Sequence, residues 1–400
     1  MTENEHPAER RVSRRTVLKA AGIGGGTVLA LGAIGVGARA GTNGGWDTGQ
    51  GAPYALWHDW QDAPGLLRLV AAGALAANPH NLQPWTFEVT DTTIDLYDDP
   101  GRAMPLNDAD GRERIAGYGC ALQNIVLAAR AERLDPRITA WPDQDPRHIA
   151  HIEVVTGSAP GSRDRDLAAA IATRHSNRDP YTDRDLDRAT LTALQEGAPD
   201  GAELVWVTDR AAMARIADQY LAATEAIIGD REMSAESFAW FRNDRADIDR
   251  HRDGLTLDCQ GLDPFTLFMA KVLPAQSRTS SDSFWLKATR DTHTATARAY
   301  GIIRVSDTGD RDARLAGGRL LQHVHLAATA AGLGLHHMNQ VTECIARAAA
   351  TGNPDGFSDP WAEATGVPAG QALLAFRIGH PERTPNPSPR RELAEFARTA

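Results

Sequence analysis

A chain of 400 residues, 42% hydrophobic and 24% charged with 36 glycines and 22 prolines, has room for two or three domain-sized units and the composition of a globular protein, not a disordered or fibrous one. A formal net charge of −10 excludes a general nucleic-acid binder, because neutralising phosphates needs a broad basic surface. Three cysteines, Cys120, Cys259 and Cys344, at no ligand-like spacing exclude a disulfide framework and a paired-cysteine metal knuckle.

The chain opens polar and basic, reads Ser13-Arg14-Arg15-Thr16-Val17-Leu18-Lys19, continues through a weakly apolar run over 20–36, and closes on Ala38-Arg39-Ala40. This order resembles a twin-arginine export signal with a small-x-small cleavage site. A membrane span fits less well, since the run is short and rich in glycine. Residues 1–40 are therefore expected to be an address read by the twin-arginine export machinery, with a periplasmic, cell-wall or extracellular destination. The resemblance implies a route that carries folded chains, often already loaded with a cofactor. Gly22-Ile23-Gly24-Gly25-Gly26 lies within this segment; no strand precedes it, so it is not read as a nucleotide loop.

Beyond the signal, a helical pattern over 66–77 leads through the proline-bounded turn Asn78-Pro79-His80-Asn81-Leu82-Gln83-Pro84 into a strand over 85–89. An Ala-rich amphipathic helix over 116–134 and a strand over 152–155 follow. The pattern then restarts: a helix over 166–173, the basic stretch Arg174-His175-Ser176-Asn177-Arg178, a helix over 186–194, a turn at 198–201 and a strand over 204–207. Residues 230–291 have no counterpart earlier and, with Trp240, Phe241, Phe268, Phe284 and Trp285 among many charges, should fold as a cover. Residues 315–333 align without gaps on 116–134, matching Gly119 with Gly318, Gln123 with Gln322 and Leu127 with Leu326 among eight identities. A strand over 373–378 closes the second pass. The expected architecture is α+β: two tandem halves, 41–160 and 161–400, forming an internal pseudo-dimer with antiparallel or mixed sheets flanked by helices, and 230–291 as an insert or lid. A chain that dimerises within itself is expected to be monomeric.

Three stretches carry chemistry. Two guanidiniums and a hydroxyl at Arg174, Ser176 and Arg178 can hold a dianionic phosphate by charge-assisted hydrogen bonds. The amides of Asn78, Asn81 and Gln83, with His80, sit on a backbone fixed by two prolines and can bond polar ring edges or a polyol. Arg390 and Arg391 follow the last strand. His336-His337 and His323-x-His325 do not share a face with one another or with a carboxylate, so no metal is expected.

Together these stretches resemble the flavin-dependent nitroreductase family, and within it the tandem Acg branch. The family pattern R-x-S-x-R matches Arg174, Ser176 and Arg178. Its loop N-x-Q-P-W matches Asn81, Gln83, Pro84 and Trp85, but the loop's front departs, with Ala77-Asn78-Pro79 where Pro-Ser-Ser or Pro-Ser-Ala is usual. The resemblance implies FMN held between the two halves in one complete site. Arg174, Arg390 and Arg391 would take the phosphate, Arg178 the pyrimidine edge, and Ser176 and Asn81 the ribityl chain or phosphate. Asn339 and Gln340 would offer backbone N–H groups to the flavin's reactive nitrogen. No side-chain nucleophile set is expected, since hydride enters and leaves at the cofactor. The implied function is FMN-dependent hydride transfer from an unknown donor to an electron-poor small molecule, a nitroaromatic or quinone. A flavin-sequestering protein covered by the 230–291 lid is the alternative, and a cofactor-free binding module a weaker third.

Overall fold

The computed structural model describes Gly37 and residues 39–399, so the export-signal reading lies almost wholly outside the described residues. Ala40, at the expected cleavage site, is buried with Phe268 and Val272 of the insert.

In the first half, short helical turns over Ala52–Tyr54, Leu56–Asp59 and Trp60–Asp62 precede helix α1 (Leu67–Ala74), then strands β1 (Trp85–Val89) and β2 (Thr93–Asp98), the long helix α2 (Arg112–Ala131), and strands β3 (Leu134–Ala140) and β4 (His148–Thr156). Strand β1 alternates as its sequence dictates, with Trp85, Phe87 and Val89 buried and Glu88 exposed. Helix α3 (Ser162–Ala170) and a single 3₁₀ turn (Ile171–Thr173) lead to the Arg174 stretch. The second half runs through β5 (Glu203–Val207), α4 (Arg210–Gly229), the insert helices α5 (Arg231–Ala239), α6 (Pro264–Val272) and α7 (Arg278–Ala288), then β6 (Ala299–Arg304), α8 (Arg311–Ala330), β7 (Gly334–His337), α9 (Gln340–Thr351), α10 (Ser358–Thr365), β8 (Ala372–Gly379) and β9 (Ala397–Thr399).

The expected α+β class is the one observed, and the two sheets repeat one plan. The first is ordered β9-β1-β2-β4-β3 and the second β5-β6-β8-β7. With β9 set aside, each runs first, second, fourth, third in its own chain order, is antiparallel throughout, and places a long helix between its second and third strands. Strand β9 is the exception: the chain's last residues cross back to pair parallel with β1.

The repeated helices α2 and α8 pack on each other at their aligned glycines. A Cβ on Gly119 would lie 2.1 Å from the Leu315 carbonyl oxygen, and one on Gly318 would lie 1.9 Å from that of Ala116. Gly119 aligns with Gly318 and Ala116 with Leu315, so the contact is reciprocal, as across a two-fold axis. Only glycine lets two helix backbones come this close. One apolar core continues across the seam, joining Leu122 and Ile125 to Leu321, Val324, Leu373 and Phe376.

Residues 230–291 pack against the rest of the chain, with Phe268 and Val272 on Ala40. Phe241–Arg242 pairs in parallel with Leu255–Thr256. Within the insert Lys271 and Asp258 form a buried ion pair at 2.5 Å, and the same two side chains tie it to the segment before α1: Asp258 accepts from Gly49 N–H and Tyr54 O–H, and Lys271 donates to Gly44 C=O.

Candidate functional site

A cavity of about 320 Å³ opens where the two halves and the insert meet. That volume is at the lower end of the roughly 300–1,000 Å³ typical of small-molecule and cofactor sites. It gathers nine of the residues singled out by sequence: Asn78, His80 and Asn81 from the loop before β1, Arg174, Ser176 and Arg178 after α3, Asn339 and Gln340 at the start of α9, and Arg390 from the tail.

One part of the wall is strongly cationic. The Arg174 and Arg390 guanidiniums both pack on the Trp57 ring, 5.7 and 4.6 Å from its centre. Arg390 is buried and spends its donors on neutral acceptors: Ala74 C=O at 2.8 Å, Asn81 Oδ1 at 2.7 Å and Ser388 Oγ at 2.6 Å. Arg174 gives a hydrogen bond to Leu75 C=O at 2.9 Å and a longer one to His325 Nδ1 at 3.4 Å, while its Nε is buried without a partner. Arg178 donates to Cys259 C=O. None of the three makes an ion pair among the described residues. Burial pulls the Arg174 guanidinium down to about 10, and burial together with Arg174 holds Arg390 well below the usual arginine range. Uncompensated buried cations of this kind call for an anion.

The loop that faces them is strained. His80, Asn81 and Gln83 have φ of 44°, 54° and 51°, a left-handed region that costs non-glycine residues about 1–3 kcal/mol each. Side chains expected to meet a ligand are used here to hold that shape. Asn78 Oδ1 accepts from Gln83 N–H at 2.8 Å. Asn81 Nδ2 donates to the Gly254 and Pro389 carbonyls, and its Oδ1 is taken by Arg390. His80 Nε2 meets Ser237 Oγ of the insert at 2.9 Å, and burial lowers the imidazole to about 4.

Two expected ligands of the cavity do not reach it. Gln83 accepts from Arg391 N–H at 2.9 Å and donates to Arg252 C=O at 2.9 Å. Arg391 turns to Gln83 C=O and pairs with Glu395 and Asp99. Its neighbours are carboxylates, so it is already neutralised; it clamps the tail to the loop instead of offering charge to the cavity.

Another part of the wall is built of acids and imidazoles. Glu113 on α2 and Glu343 on α9 face each other and line the cavity beside Asn339 and Gln340. Burial and the neighbouring Glu343 and Asp108 raise the Glu113 carboxyl well above the ordinary range; burial pushes Glu343 up to about 8. Asn339 Oδ1 accepts from Ala375 N–H at 3.0 Å, whereas Gln340 Oε1 is buried with no partner. His336 Nδ1 accepts from Arg377 Nε at 3.1 Å. Since arginine can only donate, His336 carries its proton on Nε2.

Sequence reasoning did not single out Trp57, Glu113, Glu343 or Ser388 as site residues. Ser388 sat inside the quoted Pro387-Ser388-Pro389-Arg390-Arg391 stretch and could have been chosen as a partner of Arg390. Trp57 belongs to no pattern, and Glu113 reads as an ordinary acidic residue in a helix's first turn.

Among known sequences, "Putative NAD(P)H nitroreductase Rv3131" of Mycobacterium tuberculosis (strain ATCC 25618 / H37Rv) is 32% identical over 131 residues, covering 32% of this chain and 38% of that protein. "Putative NAD(P)H nitroreductase acg" of the same organism is 30% identical over 109 residues, covering 27% of this chain and 33% of that protein. The chain is similar in part to mycobacterial nitroreductases. The matched stretch spans little more than a third of the length of these curated relatives, 38% for the first. No family model matches. Among solved structures, the FMN-dependent nitroreductase NfnB from Mycobacterium smegmatis in complex with NADPH superposes with a TM-score of 0.38 at 15% identity, over 59% of this chain and 98% of that one. A nitroreductase with bound FMN from Desulfitobacterium hafniense gives 0.34 at 18% identity, over 56% and 92%.

Proposed function

We propose that this chain is an exported FMN-dependent oxidoreductase of the nitroreductase type, its two tandem halves forming a pseudo-dimer with one flavin site. The observation that carries the reading is the pair of buried, uncompensated guanidiniums, Arg174 and Arg390, on one cavity wall. A flavin mononucleotide brings a dianionic phosphate to match them, and a ring system whose polar edge suits Arg178, Gln340 and the His336 Nε2–H. The residues present fit the group. When bound, FMN supplies two-electron transfer; the chain binds its phosphate, fixes its orientation with the strained 78–83 loop, and walls it from water with the insert. The acceptor is an electron-poor small molecule, a nitroaromatic or quinone, and the names of the mycobacterial relatives favour a nicotinamide donor. The twin-arginine pattern at 1–40 supports export as a folded, loaded protein.

Purified full-length protein should show bound flavin in its visible spectrum. Arg174→Ala and Arg390→Ala should each lower FMN affinity by about 10²-fold, the scale of one or two charge-assisted hydrogen bonds. Protein that neither carries flavin nor binds added FMN sinks the reading.

The alternative, flavin sequestration, draws support from the insert, which contributes Phe238, Phe241, Phe284 and Trp285 to the cavity wall. Stopped-flow reduction separates the two. Rapid bleaching by NADH or NADPH supports turnover, and bleaching by dithionite alone supports sequestration.

A further inference from the structure

We infer that Glu113 and Glu343 share one proton and that this pair delivers it to the electron acceptor reduced in the cavity; the inference rests on the flavin reading above. Both carboxyls line the cavity, on different helices that meet there. Neither forms an ion pair among the described residues. Glu113 is 7% exposed, and its Oε1 is buried without a hydrogen-bond partner. Beside it, the Oε1 of Gln340, 6% exposed, is likewise unpartnered. Two unsatisfied acceptors on one patch of wall mark a place where something with a donor, or a proton, belongs.

The surrounding groups leave the pair little choice but to hold a proton. Asp108, at the turn before α2, accepts from the Glu113 and Arg114 N–H groups at 2.9 Å and adds negative charge near Glu113. Glu236 of the insert adds more near Glu343, its carboxylate held by the Asn107 N–H and Nδ2 at 2.8 Å. The nearby cations are committed elsewhere, Arg112 to Asp110 and Arg114 to Asp98. Two neighbouring carboxyls on one cavity wall, Glu113 buried and Glu343 half-buried, with Asp108 and Glu236 beside them, do not both ionise.

The reaction needs this proton. Reducing a quinone to a hydroquinone takes one hydride, supplying two electrons and a proton, plus a second proton. In the step inferred here the carboxyl O–H bond breaks, an O–H bond forms on the quinone oxygen, and the electron pair stays on the carboxylate. Water then reprotonates the pair. Glu113 is the donor; Glu343 is a positioning residue that sets how tightly the shared proton is held.

The test compares full-length wild type with E113Q and E343Q, each first measured for flavin content. Turnover with 1,4-benzoquinone, which consumes a proton, is divided by turnover with ferricyanide, which accepts an electron and no proton. That ratio should fall about 10²-fold in E113Q, the usual range for general acid catalysis, and the pH dependence of benzoquinone turnover should lose its limb near 8 in both variants. Thermal unfolding against pH gives a readout that needs no flavin. A carboxyl raised in the folded state stabilises fully below its ordinary value near 4.5, and that stability is lost as pH rises through about 8. The wild-type midpoint, relative to either glutamine variant, should therefore drop across this window. A ratio unchanged in E113Q, or a thermal difference flat with pH in both variants, overturns the inference. Wild type lacking flavin overturns the flavin reading and the delivery step with it, and is told apart from failure of the pair alone by the spectrum.

Discussion

The seam between α2 and α8 and the cavity beside it draw on the same two helices under opposite rules. At the seam, aligned residues meet aligned residues: Gly119 lies against Leu315 and Gly318 against Ala116. In the cavity, aligned residues part company. Glu113 is buried on the cavity wall, whereas its aligned partner Asp312 sits near the surface and accepts from Trp141 Nε1 at 2.6 Å. Cys120 lines the cavity, and its partner Arg319 reaches to Gln123. Packing two like helices needs the same small residues from both, so the repeat persists there. A binding site needs unlike groups facing each other, so the repeat dissolves there.

The largest effect should come from breaking the symmetric side. Gly318→Leu would drive a Cβ to within 1.9 Å of the Ala116 carbonyl oxygen, a clash of backbone with side chain that no rotamer relieves. Overpacking typically costs about 1–3 kcal/mol, and this site should lie at or beyond the upper figure. Urea unfolding should show a much lower midpoint or no folded state. Gly119→Ala should be nearly as damaging, because the contact is reciprocal. A mild loss at one glycine and a severe one at the other would show the seam to be less symmetric than its geometry.

Changing the asymmetric side should separate binding from folding. Arg174 makes one good hydrogen bond and leaves Nε unpartnered, so Arg174→Met removes a buried charge that little in the protein satisfies. Without a bound anion, unfolding free energy should change by less than about 1 kcal/mol, since replacing a poorly paired buried charge with an apolar side chain is often neutral. FMN affinity should drop about 10²-fold in isothermal titration. Arg390→Met should lose both, because Arg390 also ties Ala74, Asn81 and Ser388 together. Equal losses of stability in the two variants would assign Arg174 to the scaffold.

The same division decides what could be read in advance. Strand β1 is visible residue for residue, because Trp85, Phe87 and Val89 alternate with polar neighbours, and α8 is visible because it repeats α2. Strand β2 escapes notice since Thr93, Asp95 and Asp98 dilute its two buried residues, Ile94 and Leu96. Strand β6 carries Gly301, which reads as a break; the Phe376 ring fills the space where its side chain would be. In the site, Arg174 and Arg390 stand out as clustered guanidiniums, yet the same rule selects Arg391, whose nearby carboxylates are set by the fold. Glu113 shows the converse. An acid in the first turn of a helix is normally solvated, and only the fold buries this one and sets Glu343 of α9 beside it.

Acid should distinguish seam from cavity by a smaller but directional effect. His175, His293, His325, His336 and His337 are all held below the ordinary imidazole range, burial being the main cause in each and nearby arginines or histidines adding to it; His337 falls to about 3. A group lowered in the folded state contributes stability that is present above its unfolded value near 6.5 and is lost as pH falls toward the folded one. Four of the five are on the 174–178 stretch, on β7 or on α8 facing them, and none contacts the Gly119 and Gly318 crossing. Each proton taken up on opening is worth about 1.4 kcal/mol per pH unit, a tenfold change in the opening equilibrium. Amide hydrogen exchange at pH 7, 5.5 and 4.5, corrected for intrinsic rates, should therefore accelerate about tenfold per unit at residues 174–178 and 334–337 before it does at 116–128 and 315–320, the part of α8 at the crossing and away from His323, which burial also lowers to about 4. Exchange that rises uniformly would mean that cavity and seam open as one unit, and that the unlike groups of the site are as much a part of the core as the glycines that repeat.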